Sequence, residues 1–219
     1  MQCRYLHLEP SGSRAALSAV RWESFLIMHD THLSKPDLRR LMRQRRQALS
    51  EDDRAKAAIC LTQNVLALEA WQDASKIALY LANDAEADPS LLAKELRHAG
   101  KTPYLPVIQQ DNSLCFAPWV EFSELRNNRF GIPEPQTPAS KAAELDIILL
   151  PLVAWDIHGN RLGMGGGFYD RSLSGACDVL KVGLAYELQR VETLPAESWD
   201  VNLDFVATEA TLIQCQGEN

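Results

Sequence analysis

No apolar run in the 219 residues approaches the ~18 consecutive positions that a membrane-spanning helix needs. Cysteine is sparse and unpatterned. Cys3, Cys60, Cys115, Cys177 and Cys215 are odd in number, and no two are spaced C-x-x-C. Neither a disulfide framework nor a zinc site is indicated, so reduced, mostly buried thiols in a cytoplasmic protein are expected. Positive charge is not in excess either. The net charge of −7 argues against broad electrostatic attachment to nucleic acid or an anionic membrane. No Ser-His or Cys-His pair suited to nucleophilic catalysis is evident. His29 and His32 are not expected to form a metal pair, and His158 reads as a turn residue. There is no internal repeat.

What is present is ample for a core: 46% of the chain is hydrophobic, and the length suits one domain with an extension. Residues 1–33 carry mixed charge, scattered Ser, a Pro10-Ser11-Gly12 break and no sustained period. We expect them to be a disordered extension, with residues 1–27 lying upstream of a functional start near Met28. Residues 34–219 then form the folded domain. Ser34, with Asp37 three positions on, reads as the cap of a helix whose apolar face is Leu38, Leu41, Met42 and Leu49. Ser50 and Asp53 open a second helix expected to run to Trp71, buried in part through Ile59, Val65, Leu66 and Leu68. Trp71 and Trp199 read as packing anchors.

Beyond this point strands and helices alternate. KIALYLA (76–82), TPYLPV (102–107), SLCFAPW, LDIILLP (145–151), KVGLAY (181–186) and DFVAT (204–208) read as strands. Asp88 and Pro89 read as N-cap and first position of a helix ending at Gly100. A Pro-rich loop holds FGIPEPQTP (130–138). The fold class expected is α/β: a single Rossmann-like three-layer domain with a mainly parallel sheet and helices on both faces.

Glycine totals only 11, yet Gly163, Gly165, Gly166 and Gly167 fall within five residues. They follow a buried strand and a turn at Asp156, Gly159 and Asn160, and lead directly into a short helix. Such a loop brings backbone N–H groups close to an anion, and the helix start adds unpaired donors. Arg161 adds a planar cationic fork. Asp170, one turn into the helix, suits Mg²⁺ beside phosphate oxygens, or simple charge complementarity at a helix start. A hairpin needing tight turns alone is the plainer reading. Gly100-Lys101-Thr102 lacks the preceding glycine of a phosphate-binding Walker loop, and Phe168 stands where a dinucleotide fingerprint needs its third glycine.

The segment LLPLVAWDIHGNRLGMGGGFYDR resembles the signature of the 5-formyltetrahydrofolate cyclo-ligase (methenyltetrahydrofolate synthetase) family. KPDLRRLMRQRR, LYLANDAEAD, FGIPEP and WDVNLDFVAT extend the resemblance from about Ser34 to Thr208. The resemblance implies ATP-dependent conversion of 5-formyltetrahydrofolate to 5,10-methenyltetrahydrofolate, releasing ADP and phosphate, with Mg²⁺ as cofactor. It places ATP contacts on Lys35, Arg39, Arg161, Leu162, Gly163, Met164, Gly165, Gly166, Gly167, Phe168 and Tyr169. It places folate contacts on Leu81, Glu86 and the run Met164 to Phe168, and metal ligands on Asp170 and Asp200. Arg161 and Asp170 are the residues expected to carry catalysis. Phe130 is added here as a ring that packs on the folate. A basic residue found in some members at the positions of Met164 and Gly166 is missing. Lys35, Arg39, Arg161 and the metal are left to balance phosphate charge. A monomer with no nucleic-acid or membrane partner is expected. The competing readings are a sugar-phosphate or coenzyme A ester enzyme of similar fold, a folate-binding module without turnover, and nucleic-acid binding by the basic helix of Lys35, Arg39, Arg40, Arg43, Arg45 and Arg46.

Overall fold

The computed structural model describes residues 33–216. The expected extension, apart from Leu33, lies outside the described residues. Ser34 caps α1 (Lys35–Gln47), accepting the Asp37 N–H at 3.3 Å, and Ser50 caps α2 (Glu51–Leu66) through Asp53 N at 3.1 Å. The second helix does not run on to Trp71. It stops at Ala67, and α3 (Glu69–Asp73) starts afresh, turning Leu68 and Trp71 into the core. Ile59 stays 51% exposed, because Ala57, Leu61 and Val65 define the buried stripe of α2. At α4 (Ser90–His98), Pro89 is the cap position, not the first helical one. Asp88 still performs the capping chemistry, accepting Ser90 N at 2.9 Å.

The strands are β1 (Ile77–Ala78), β2 (Pro103–Ile108), β3 (Leu114–Pro118), β4 (Leu125–Asn127), β5 (Pro133–Pro135), β6 (Ile147–Pro151), β7 (Ala154–Trp155), β8 (Arg161–Leu162), β9 (Leu180–Leu184), β10 (Phe205–Ala207) and β11 (Leu212–Gln214). Seven of them form one sheet in the order β11-β10-β9-β6-β1-β2-β3. The five inner strands run parallel, and β3 and β11 pair antiparallel at the edges. The hairpins β4–β5 and β7–β8 stand outside this sheet.

Alternation along β6 divides the core. Ile147 and Leu149 face the cluster built with Leu61 and Val65 of α2 and Leu92 and Leu96 of α4. Ile148 and Leu150 face the opposite cluster, which includes Phe116, Trp155, Val206 and Leu173 of α5 (Phe168–Leu173). The result is the expected three-layer α/β domain. A third cluster joins Leu38 and Met42 of α1 to Val153, Ala154 and Leu162 of the β7–β8 hairpin. The thiols depart from expectation: Cys60 and Cys177 are exposed, and Cys115 and Cys215 only partly buried.

Candidate active site

From β1 the chain winds outward to β2, and from β6 it winds the other way to β9, so adjacent strands send their following loops apart. That is the switch point where open α/β sheets bind ligands, beyond the carboxyl ends of the strands. The loop after β1 carries Leu81 and Glu86, and the segment after β6 carries the glycine loop.

The β7–β8 hairpin that precedes the glycines is built on Asp156. Its buried carboxylate accepts His158 N at 2.9 Å, Asn160 N at 3.1 Å, Asn160 Nδ2 at 3.0 Å and Leu194 N at 2.9 Å. Four donors compensate its desolvation and make the turn rigid. Leu162 is buried, while Gly163 O accepts Arg39 Nε at 2.8 Å. Gly165 has φ +94°, and a Cβ there would stand 3.3 Å from Arg39 Cζ. At Gly166 a Cβ would fall 2.5 Å from Phe168 Cε2. The glycines therefore serve a left-handed crest with a guanidinium beneath it and a ring against it. Met164 stands on this crest, 53% exposed.

Asp170 Oδ1 accepts Arg161 Nη2 at 2.6 Å and Val201 N at 3.3 Å. The Arg161 side chain is only 7% exposed, and its Nε is buried without a partner. Lys35 Nζ lies 3.5 Å from Glu197 Oε1 and 3.6 Å from Asp200 Oδ2. Asp170 and Asp200 line one open cavity of about 730 Å³, together with Gly167, Arg171 and Trp199. That cavity reaches neither Lys35, Arg39 nor the crest from Gly163 to Gly166. Trp199 is 68% exposed on its rim, which corrects its reading as a packing anchor.

Two carboxylates on one cavity fit a Mg²⁺ ion that completes its shell with phosphate oxygens and water. No group of three or more His, Cys, Asp or Glu suited to a metal exists among the described residues.

Glu86, largely buried, lines a second open cavity with Asp84 and Tyr186. Burial raises its carboxyl above the ordinary value, opposed by the Asn83 N–H, which donates to Oε2 at 3.1 Å. Its neighbour Asp84 is pulled down to about 2, chiefly by the hydrogen bond from Arg43, at 2.7 Å to Oδ2. Arg46, fully buried, donates to the same Oδ2 at 2.7 Å and to Asp84 O at 2.8 Å. Gln47 donates to Oδ1. Both Asp84 and Ala85 have positive φ, 51° and 58°. Leu81 is partly buried against the core. Burial raises the Tyr169 hydroxyl, and the charge of Glu86 adds to that while the charge of Arg161 opposes it.

Phe130 tips the β4–β5 hairpin, half-exposed, and meets Phe168 edge-on with centroids 5.8 Å apart. Asn128 shapes that tip, its Oδ1 accepting Phe130 N at 2.8 Å and Ile132 N at 3.1 Å.

The structure thus joins Arg39 to the glycine loop, Arg161 to Asp170, and Phe130 to Phe168, with Asp170 and Asp200 on one cavity and Glu86 in another. Sequence reasoning missed Arg43, Arg46 and Asp84. The signal was available: Lys35, Arg39, Arg43 and Arg46 follow helical spacing and share one stripe of α1. That stripe faces the protein, since each makes an internal contact. It does not form the solvent-facing track that a nucleic-acid reading requires.

The fold and site together define an α/β protein with a glycine-rich loop at its switch point. The chain belongs to the 5-formyltetrahydrofolate cyclo-ligase family, whose model matches residues 31–209. It is 39% identical to the 5-formyltetrahydrofolate cyclo-ligase of Haemophilus influenzae, over 77% of this chain and 94% of the relative. With the same-named protein of Escherichia coli it shares 37%, over 77% and 96%. The solved 5,10-methenyltetrahydrofolate synthetase of Aquifex aeolicus superposes with a TM-score of 0.76 at 31% identity, covering 85% of this chain and 95% of that one.

Proposed function

We propose that the chain catalyses the ATP-dependent cyclisation of 5-formyltetrahydrofolate to 5,10-methenyltetrahydrofolate, releasing ADP and phosphate. The observation that carries this is the glycine crest held over Arg39, followed at once by the Arg161–Asp170 pair, in a chain whose whole domain matches the cyclo-ligase family. In this reading the crest, Lys35 and Arg39 hold the phosphates. The formyl oxygen of the folate attacks the γ-phosphorus, ADP departs, N10 closes on the activated carbon, and the oxygen leaves as phosphate. Such phosphoryl transfer needs positioning and charge neutralisation more than a side-chain nucleophile.

Arg161 then acts mainly by orienting Asp170, since one arm of its fork is committed to that carboxylate. Asp170 and Asp200 would hold Mg²⁺, which when bound neutralises phosphate charge. Lys35 neutralises Asp200 here and would be available to phosphate if a cation held that carboxylate. Glu86 accepts N–H groups of the pterin, Leu81 lines its apolar edge, and Phe168 packs on the folate.

The test is an absorbance assay in the near ultraviolet, where the conjugated methenyl product absorbs and the formyl substrate does not. The band is expected to grow only when protein, 5-formyltetrahydrofolate, ATP and Mg²⁺ are all present. A folded protein that binds ATP without producing the band would move the site to another acceptor, such as a sugar phosphate or a coenzyme A ester.

A further inference from the structure

Arg46 is a fully buried cation, and the chemistry above gives it no part. Its fork spans two loops of the switch point. In the loop after β1, Nε donates to Asp84 O at 2.8 Å and Nη2 to Asp84 Oδ2 at 2.7 Å. Just after β6, Nη1 reaches Leu152 O at 3.4 Å, and Gln189 Nε2 donates to the same oxygen at 2.8 Å.

What the fork holds in the first loop is a left-handed pair. Asp84 and Ala85 have φ 51° and 58°, and alanine has no side-chain hydrogen bond to offset the strain. The pair folds the chain back on itself. Glu86 N donates to Asn83 O at 2.9 Å, and Asn83 N donates to Glu86 Oε2 at 3.1 Å. The other carboxylate oxygen, Oε1, stands 4.0 Å from Arg46 Nη2. That is too long for a hydrogen bond but close enough for charge to act. Arg46 therefore favours the anion without occupying Oε1.

Other charges surround this carboxylate. Arg43 pairs with Asp84. Glu51 and Arg54 of α2, with Asp84, Asp88 and Tyr186, line the same cavity as Glu86. Tyr80 and Tyr169 feel its charge. Burial holds the hydroxyls of Tyr80, Tyr169 and Tyr186 above their ordinary range, so none of them titrates with a carboxylate. On Glu86 itself burial acts upward, the Asn83 N–H and Arg46 act downward, and Asp84 acts upward again.

We propose that Arg46 is a positioning residue for Glu86: its fork holds the left-handed turn at Asp84 and Ala85, and its charge backs the carboxylate that accepts the folate's N–H groups. The inference rests on the folate reading above for its ligand. A lysine would keep the charge but could not hold Asp84 and Leu152 together, since only a planar fork points donors in three directions.

Isotope-edited NMR of the glutamate side chains in the full chain follows Glu86 through pH, its signal assigned by its loss in Glu86→Gln. Calorimetric titration with 5-formyltetrahydrofolate follows binding. Arg46→Gln removes the positive neighbour and should move the Glu86 titration to higher pH. Asp84→Asn removes the negative one and should move it to lower pH. The ionised carboxylate is the acceptor, so binding is held above that titration and lost as pH falls through it. Arg46→Gln should weaken folate binding about tenfold at neutral pH and less at alkaline pH, while ATP affinity changes less. Arg46→Lys should leave the titration near that of the unaltered chain even where Tm falls. Should the Arg46 variants fail to fold, Asp84→Asn decides by its direction. A Glu86 titration unmoved by the substitutions, or moved the same way by both, overturns the proposal. A titration that moves as expected while folate affinity ignores it would remove Glu86 from the folate and leave Arg46's hold on its charge standing.

Discussion

Asp170 is shared by three partners in the proposed cycle: Arg161, the Val201 N–H and a metal ion. Asp170→Asn keeps the shape and removes the charge, so turnover should fall at least ~100-fold in the absorbance assay. Near-normal turnover in excess Mg²⁺ would remove Asp170 from the metal site. Gly165 is limited by backbone more than by space. Alanine at φ +94° is strained, and its Cβ would press on Arg39. Gly165→Ala should raise the ATP KM about tenfold and cost about 1–3 kcal/mol in urea unfolding. An unchanged ATP KM would mean the crest does not touch the nucleotide. Glu86→Gln should do the reverse, raising the folate KM most.

Among the elements, α1 does the most joining. It rests on the β7–β8 hairpin through Leu38 and Met42, and one stripe of cations grips both loops of the crevice. Asp84→Asn is the sharpest probe of that grip. Asparagine accepts the left-handed backbone, so the substitution isolates charge. It leaves the fully buried Arg46 without its nearest counter-ion, at a cost of about 3–5 kcal/mol in denaturant unfolding. The pH dependence follows from the same pair. The Asp84 carboxyl is depressed from 3.8 to about 2, so its stabilisation is complete above about pH 4 and lost as pH falls through 2. Asp84→Asn should flatten acid unfolding in that window, and an unchanged profile would place the acid-sensitive charge elsewhere.

The caps of α1 and α2, the parallel strands and the glycine crest were legible because each depends on neighbours in sequence. Ser34 reaches Asp37, and Ile147 to Leu150 alternate between two covered faces. The β4–β5 and β7–β8 hairpins were not, because pairs of two or three residues leave no periodic trace. β11 was missed for the same reason. Arg46 was illegible in another way. A charged helix residue reads as solvated until a distant carboxylate is brought onto it, and Asp84 lies 38 positions away. In the site, the glycine turn ahead of a short helix could be read, but not that Arg161 would spend its fork on Asp170.

At the scale of the whole molecule, ligands that bind only the folded chain add stability. ATP with Mg²⁺ at about 100 times Kd should contribute about 2.7 kcal/mol, raising Tm by about 5–10 °C. A rise with folate and none with ATP would sink the nucleotide assignment. A chain starting at Met28 should keep the Tm and turnover of the full one, which scanning calorimetry and the absorbance assay would check.

The span of α1's contacts bears on how the molecule is made. Arg39 closes on a carbonyl 124 residues later, and Lys35 on a carboxylate 162 residues later. At about 5–20 residues per second of synthesis, the helix leaves the ribosome roughly 6–25 seconds before the crest it supports. During that interval Lys35 and Arg39 lack their partners, whereas Asp84, the partner of Arg43 and Arg46, follows α1 much sooner. A nascent chain paused before Gly163 would hold the cationic stripe of α1 without the carbonyl and carboxylates that Arg39 and Lys35 close on in the finished protein.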